Sequence, residues 1–152
     1  MQARMQNPAL IIPEAMTALH ALGAAIENAG LPAATLGLVD ARASQINGCG
    51  VCLDGHCRIM KRRGEDLDRV IALPGWRHAP YFTDAERAAL ALTEALTRLA
   101  DAADPVPDAV WKEATRHYDP PQLAALILAI AQINVWNRLN VGAGVLVGEW
   151  KP

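Results

Sequence analysis

Apolar residues recur at helical spacing along nearly the whole chain, and almost nowhere do they alternate as the two faces of a strand require. That restricts the chain to an all-α fold, and its punctuation says where the helices begin and end. Pro13 suits a first helical position and opens a segment over 13–28 that Gly30 stops. Pro32 opens a second over 32–46, with Gly48 as its stop. A third begins near Cys49 and runs to about Arg63, ended by Gly64, although Gly50 and Gly55 weaken it intrinsically. Residues 66–73 make a short fourth before a break at Pro74-Gly75. Thr83-Asp84-Ala85-Glu86 is a capping-box pattern that opens an Ala- and Leu-rich helix reaching about Ala100. Segments over 107–118 and 121–140 each start with proline again. The expectation is one domain over 1–152, a bundle of about seven helices with a loop at 101–107. The tail from Gly142, with Gly144 and Gly148, matches no element pattern, and no repeat, low-complexity tract or linker divides the chain.

At 152 residues the chain is sized for a single domain, which buries about two-thirds of its unfolded surface. A formal net charge of −2 argues against nucleic acid as the main partner, since phosphate binding calls for a clustered cationic excess. The basic group Arg58, Lys61, Arg62 and Arg63 falls in the last turns of the third predicted helix, where cations offset the negative end of the dipole. The most apolar run, 123–133, is too short to span a bilayer and contains Gln132, so it reads as a buried or interface helix and not a membrane segment. Residues 1–8 lack the apolar core and small-residue cleavage site of a secretory signal, and three cysteines do not suit a secreted disulfide framework. These features predict a cytoplasmic protein.

The chemistry concentrates in Asn47-Gly48-Cys49-Gly50-Val51-Cys52-Leu53-Asp54-Gly55-His56. Offsets of three, four and seven residues place Cys49, Cys52 and His56 on one helical face, so a dithiol and a base share it. A thiolate is the reactive form of cysteine, and a helix N-terminus or a neighbouring imidazolium lowers its pKa. A redox or peroxide-reducing site is the leading reading. Zinc would need a fourth ligand and usually a second ligand couple, and a four-thiolate iron-sulfur cluster cannot be met by three cysteines even with Cys57. The reading therefore calls for no metal and no cofactor. Cys57 falls off the reactive face and reads as a packed or idle thiol. His20 reads as a packed or partly exposed ring, His78 and His117 lack partners at metal spacing, and Trp76, Trp111, Trp136 and Trp150 read as core or subunit-contact groups. Tyr81 and Phe82 read as hydrophobic anchors before the capping box, and Glu94 and Arg138 as a possible pair between helices.

The run Arg42-Ala43-Ser44-Gln45-Ile46-Asn47-Gly48-Cys49, followed by Val51-Cys52 and His56, resembles the core motif of the alkylhydroperoxidase D (AhpD-like) branch of the carboxymuconolactone decarboxylase superfamily. The likeness continues through Trp76-Arg77, Phe82-Thr83-Asp84, Glu86-Arg87-Ala88-Ala89-Leu90, Thr93-Glu94-Ala95-Leu96, Ile133-Asn134 and Trp136-Asn137-Arg138, and so covers residues 32–140. It implies an AhpD-like helical fold that assembles as a homo-oligomer, commonly a trimer or hexamer. It also implies peroxidase chemistry on a hydroperoxide substrate. In that chemistry His56 takes a proton from Cys52, Cys49 resolves the oxidised sulfur, and an external dithiol or disulfide reductase restores the pair. Helix-end electrostatics alone favour Cys49 as the nucleophile instead. The family usually carries a proton-relay Glu twelve residues before the first motif cysteine, where this chain has Gly37, and some members carry a His where this chain has Val51. Asp40, one turn beyond Gly37, reads first as a solvated helix residue and second as a replacement acid. Weak or altered peroxidase activity is the expectation. The alternatives are a lactone decarboxylase, for which no CxxC is needed, and a non-enzymatic redox-sensing or structural oligomer.

Overall fold

The start and stop signals act close to where the sequence puts them. The computed structural model describes residues 1–150, which form eight α-helices and two 3₁₀ turns with no strand among them. The helices are α1 (Pro8–Ile11), α2 (Pro13–Glu27), α3 (Ala33–Asn47), α4 (Gly50–Arg62), α5 (Leu67–Ala72), α6 (Asp84–Thr97), α7 (Asp108–His117) and α8 (Pro120–Ala143). The 3₁₀ turns are Leu73–His78 and Leu99–Asp101.

Four elements differ from the sequence reading. Helix α1 is additional: the Asn7 side chain accepts from the Ala9 N–H and Pro8 sits in the first turn, but four residues are too few to show a period. The break at Pro74-Gly75 is a 3₁₀ turn, because Leu73 and Trp76 are both driven into the core. Helix α6 stops at Thr97 and continues only as the second 3₁₀ turn. Helix α8 runs past Asn140 to Ala143 and is ended by Gly144, whose φ of 68° is left-handed. The Thr83 capping box forms as expected, and Asp119 with Gln122 forms a second one at the start of α8.

Helices α3 and α8 run through the middle of the bundle, with the other long helices packed around them. Small residues on α3, Ala41 and Ala43 among them, are fully buried and let its neighbours approach closely. One apolar cluster joins Val39, Leu92, Leu126 and Ile130, and a second joins Leu38, Met60, Trp76 and Leu90. The third contains both cysteines of the motif, with Ala43, Val51 and Ile133. Among the described residues no helix is long and apolar enough to cross a membrane.

Candidate functional site

The dithiol sits where α3 turns into α4. Gly48 ends α3 in the left-handed region, at φ 67°, and the Cys49 N–H then donates to the Ser44 carbonyl at 3.0 Å. Cys49 thereby becomes the N-cap of α4 and Cys52 lies in its first turn. Their Cα atoms are 5.4 Å apart, and the structure joins the two sulfurs as a disulfide. Both cysteines are 1% exposed. The motif residues before them serve as an anchor. The Asn47 amide donates at 2.9 Å to the side-chain oxygens of Asn134 and Asn137, and the Asn137 amide donates at 3.0 Å to Ser44 Oγ, which ties the end of α3 to α8. Further along α8, the Asn140 amide donates to Cys52 Sγ at 3.3 Å.

His56 lies one helical turn beyond Cys52, and its Nδ1 is 3.2 Å from Asp40 Oδ2 on α3. This corrects the reading of Asp40 as a solvated residue: its side chain is only 23% exposed and faces the imidazole, because α3 and α4 pack along one another. Burial raises the Asp40 pKa above its ordinary value and the Glu27 charge adds to this, against the opposing pull of His56 and Arg63. Gly37 has a different role from the acid expected there. A Cβ at 37 would lie 2.8 Å from Met60 Cγ, so the space that a glutamate needs is filled by Met60.

A cavity of about 740 Å³ opens beside this pair, and its walls include Asp40, Cys52, His56, Trp136, Asn140 and Trp150. Cys52 lines it; Cys49 does not. The tail that matched no sequence pattern folds back over α4. The Val147 side chain lies 3.1 Å from where a Gly50 Cβ would be, and Trp150 packs against Gly55 with its ring edge-on to His56, centroids 5.1 Å apart. Asn140, Trp136 and Trp150 were therefore missed as site residues. The spacing of Asn134, Asn137 and Asn140 on one apolar helix points to Asn140, and no sequence signal points to the two tryptophans.

Other residues settle elsewhere. Cys57 is a free, partly buried thiol outside the cavity wall, its pKa raised by burial and by the Asp54 charge. Glu94 does not meet Arg138. It accepts from Trp76 Nε1 at 2.9 Å, Arg42 Nε at 2.8 Å and Arg77 Nη1 at 2.7 Å, while Arg138 donates to Asn134. Burial works against the Glu94 carboxylate, but the hydrogen bonds from Trp76, Arg77 and Arg42 outweigh it and hold the pKa below its ordinary value. His20 is exposed on the cavity rim, and His117 pairs with Glu113 at 3.1 Å. Trp76 and Phe82 are core residues, whereas Tyr81 and Trp111 are exposed.

Comparison with known proteins places the chain in a family. Residues 13–95 match the carboxymuconolactone decarboxylase family. An uncharacterized protein of Bacillus subtilis (strain 168), YdfG, is 33% identical over 134 residues, spanning 88% of this chain and 90% of its own length. A crystal structure from Agrobacterium tumefaciens, of a protein of unknown function described as a candidate antioxidant defence protein AhpD, superposes with a TM-score of 0.89 at 31% identity. The match covers 98% of this chain and all of that one. The debrominase Bmp8 shares the fold at a TM-score of 0.76 and 20% identity, over 90% of this chain and 73% of its own. The chain belongs to the carboxymuconolactone decarboxylase family and is one of its AhpD-like members.

Proposed function

We propose that the protein is a thiol-dependent peroxidase that reduces hydroperoxides through a Cys49–Cys52 dithiol/disulfide cycle. The observation that carries this reading is a disulfide whose Cys52 half lines a cavity shared with a paired imidazole and carboxylate. Neutral His56, with Nδ1–H donating to Asp40, keeps the Nε2 lone pair free to accept the Cys52 proton. The first turn of α4 and the Asn140 amide then stabilise the thiolate. The Cys52 sulfur attacks the peroxide O–O bond, which breaks to give a sulfenic acid and an alkoxide, and the alkoxide takes the proton held by His56 and leaves as the alcohol. The Cys49 thiol attacks the sulfenic sulfur, the disulfide forms and water leaves. An external dithiol or a disulfide reductase returns both thiols by exchange and is itself oxidised. In this scheme Asp40 supplies the carboxylate that the family draws from the position of Gly37.

Treating the reduced protein with one equivalent of cumene hydroperoxide and mapping its sulfurs by mass spectrometry tests the cycle. A Cys49–Cys52 linkage is expected, and unchanged thiols would overturn it. Sulfenic acid should be trapped in Cys49→Ser and not in Cys52→Ser; the reverse would exchange the two roles. The reading also includes a cytoplasmic setting and assembly into a trimer or hexamer, for which Leu128 and Val135, 43% and 41% exposed on α8, offer apolar surface. Light scattering is expected to give three or six chains per particle, and a monomer would refute the assembly.

A further inference from the structure

We propose that Trp150 is a positioning residue of this site: its ring, seated in the notch that Gly55 leaves open, fixes the His56 imidazole against Asp40. The role rests on the dithiol reading above, but the geometry behind it is separate. Gly144 turns the chain back from α8, Val145 packs on the cysteine cluster and Val147 packs on Gly50, so the segment after α8 is laid along α4. Trp150 ends that path on Gly55. The nearest atoms to a Cβ built at 55 are Cε3, Cζ3 and Cδ2 of Trp150, so any side chain larger than hydrogen displaces the indole. A glycine inside a helix is intrinsically unfavourable, and close approach of this ring gives it a reason to be there.

The ring beside Gly55 meets His56 edge-on, with planes at 66°. Asp40 holds the imidazole through Nδ1 alone, and a single hydrogen bond leaves the ring free to swing about it. The indole supplies a second contact from a different segment, and the two together define the ring's plane. Trp150 also walls the cavity beside Cys52 and covers the imidazole, whose side chain is 18% exposed. It acts on the dithiol through His56.

The test compares Trp150→Ala, Trp150→Phe, Gly55→Ala and the double variant Trp150→Ala/Gly55→Ala by two readouts. The first is the tautomer of the His56 ring in long-range proton–nitrogen NMR spectra, assigned by loss of the signal in His56→Gln. The second is the rate of disulfide formation with cumene hydroperoxide. Trp150→Ala and Gly55→Ala should each mix the tautomers and slow the reaction by about threefold to tenfold, the size of an edge-on aromatic contact. Trp150→Phe should restore most of both, and the double variant should match Trp150→Ala, because both changes remove the same contact. Native tautomer and rate in Trp150→Ala would overturn the proposal, as would a further loss in the double variant. If the unmodified protein forms no disulfide with the hydroperoxide, the peroxidase reading fails and the tautomer spectra alone decide the role of Trp150.

Discussion

In the proposed cycle Asp40 supplies the carboxylate that the family pattern puts at position 37. Asp40 reaches His56 at 3.2 Å from one turn further along α3, while Gly37 makes room for Met60. Asp40→Asn removes the charge but keeps the shape. A hydrogen bond to a charged group contributes about 1.5–3 kcal/mol, so the rate of disulfide formation with hydroperoxide should fall by about tenfold to a hundredfold in stopped-flow assays. Gly37→Glu puts the family's residue into occupied space. It should lower stability by about 1–3 kcal/mol in urea titrations, the usual cost of overpacking, without raising the rate.

Among the elements, the ties between helices matter more than helix propensity. Glu94 on α6 accepts from Arg42 on α3 and from Trp76 and Arg77 in the 3₁₀ turn Leu73–His78, and Arg77 stacks over the Trp76 ring at 4.2 Å. Three segments thus meet on one carboxylate whose side chain is 9% exposed. Glu94→Ala strands the nearly buried Arg42 guanidinium and should cost about 3 kcal/mol, read from the midpoint shift of denaturant unfolding. The sequence offers Arg138, on another predicted helix, as a partner; the packing of α3 on α6 gives Glu94 Arg42 instead.

For the molecule as a whole, these two carboxylates set opposite trends of stability with pH. Glu94 has a native pKa below its ordinary value, so the stability it contributes is present above the ordinary glutamate range and is lost as pH falls through the lowered native value. Asp40 has a raised native pKa, so its contribution is present below the ordinary aspartate range and is lost as pH rises through the raised value. Unfolding titrations between about pH 3 and pH 7 should therefore show an acid-sensitive component that disappears in Glu94→Ala. Asp40→Asn should leave that component intact and remove the loss that sets in as pH rises above the ordinary aspartate range.

The sequence by itself determined the all-α class, the seven longer helices to within a few residues, and a dithiol with an imidazole one turn on. These are local properties: caps, prolines, glycine stops and a fixed helical period act between residues close in the chain. Tertiary structure decided which groups surround that dithiol. Asp40 is brought in by the packing of α3 on α4, Asn140 by the passage of α8 behind the cysteines, and Trp150 by the turn at Gly144. Each comes from a segment whose own pattern says nothing about α4. Glycines 37 and 55 show the limit most clearly, since a missing side chain carries no signal until the atom that fills its place, from Met60 or Trp150, has a position.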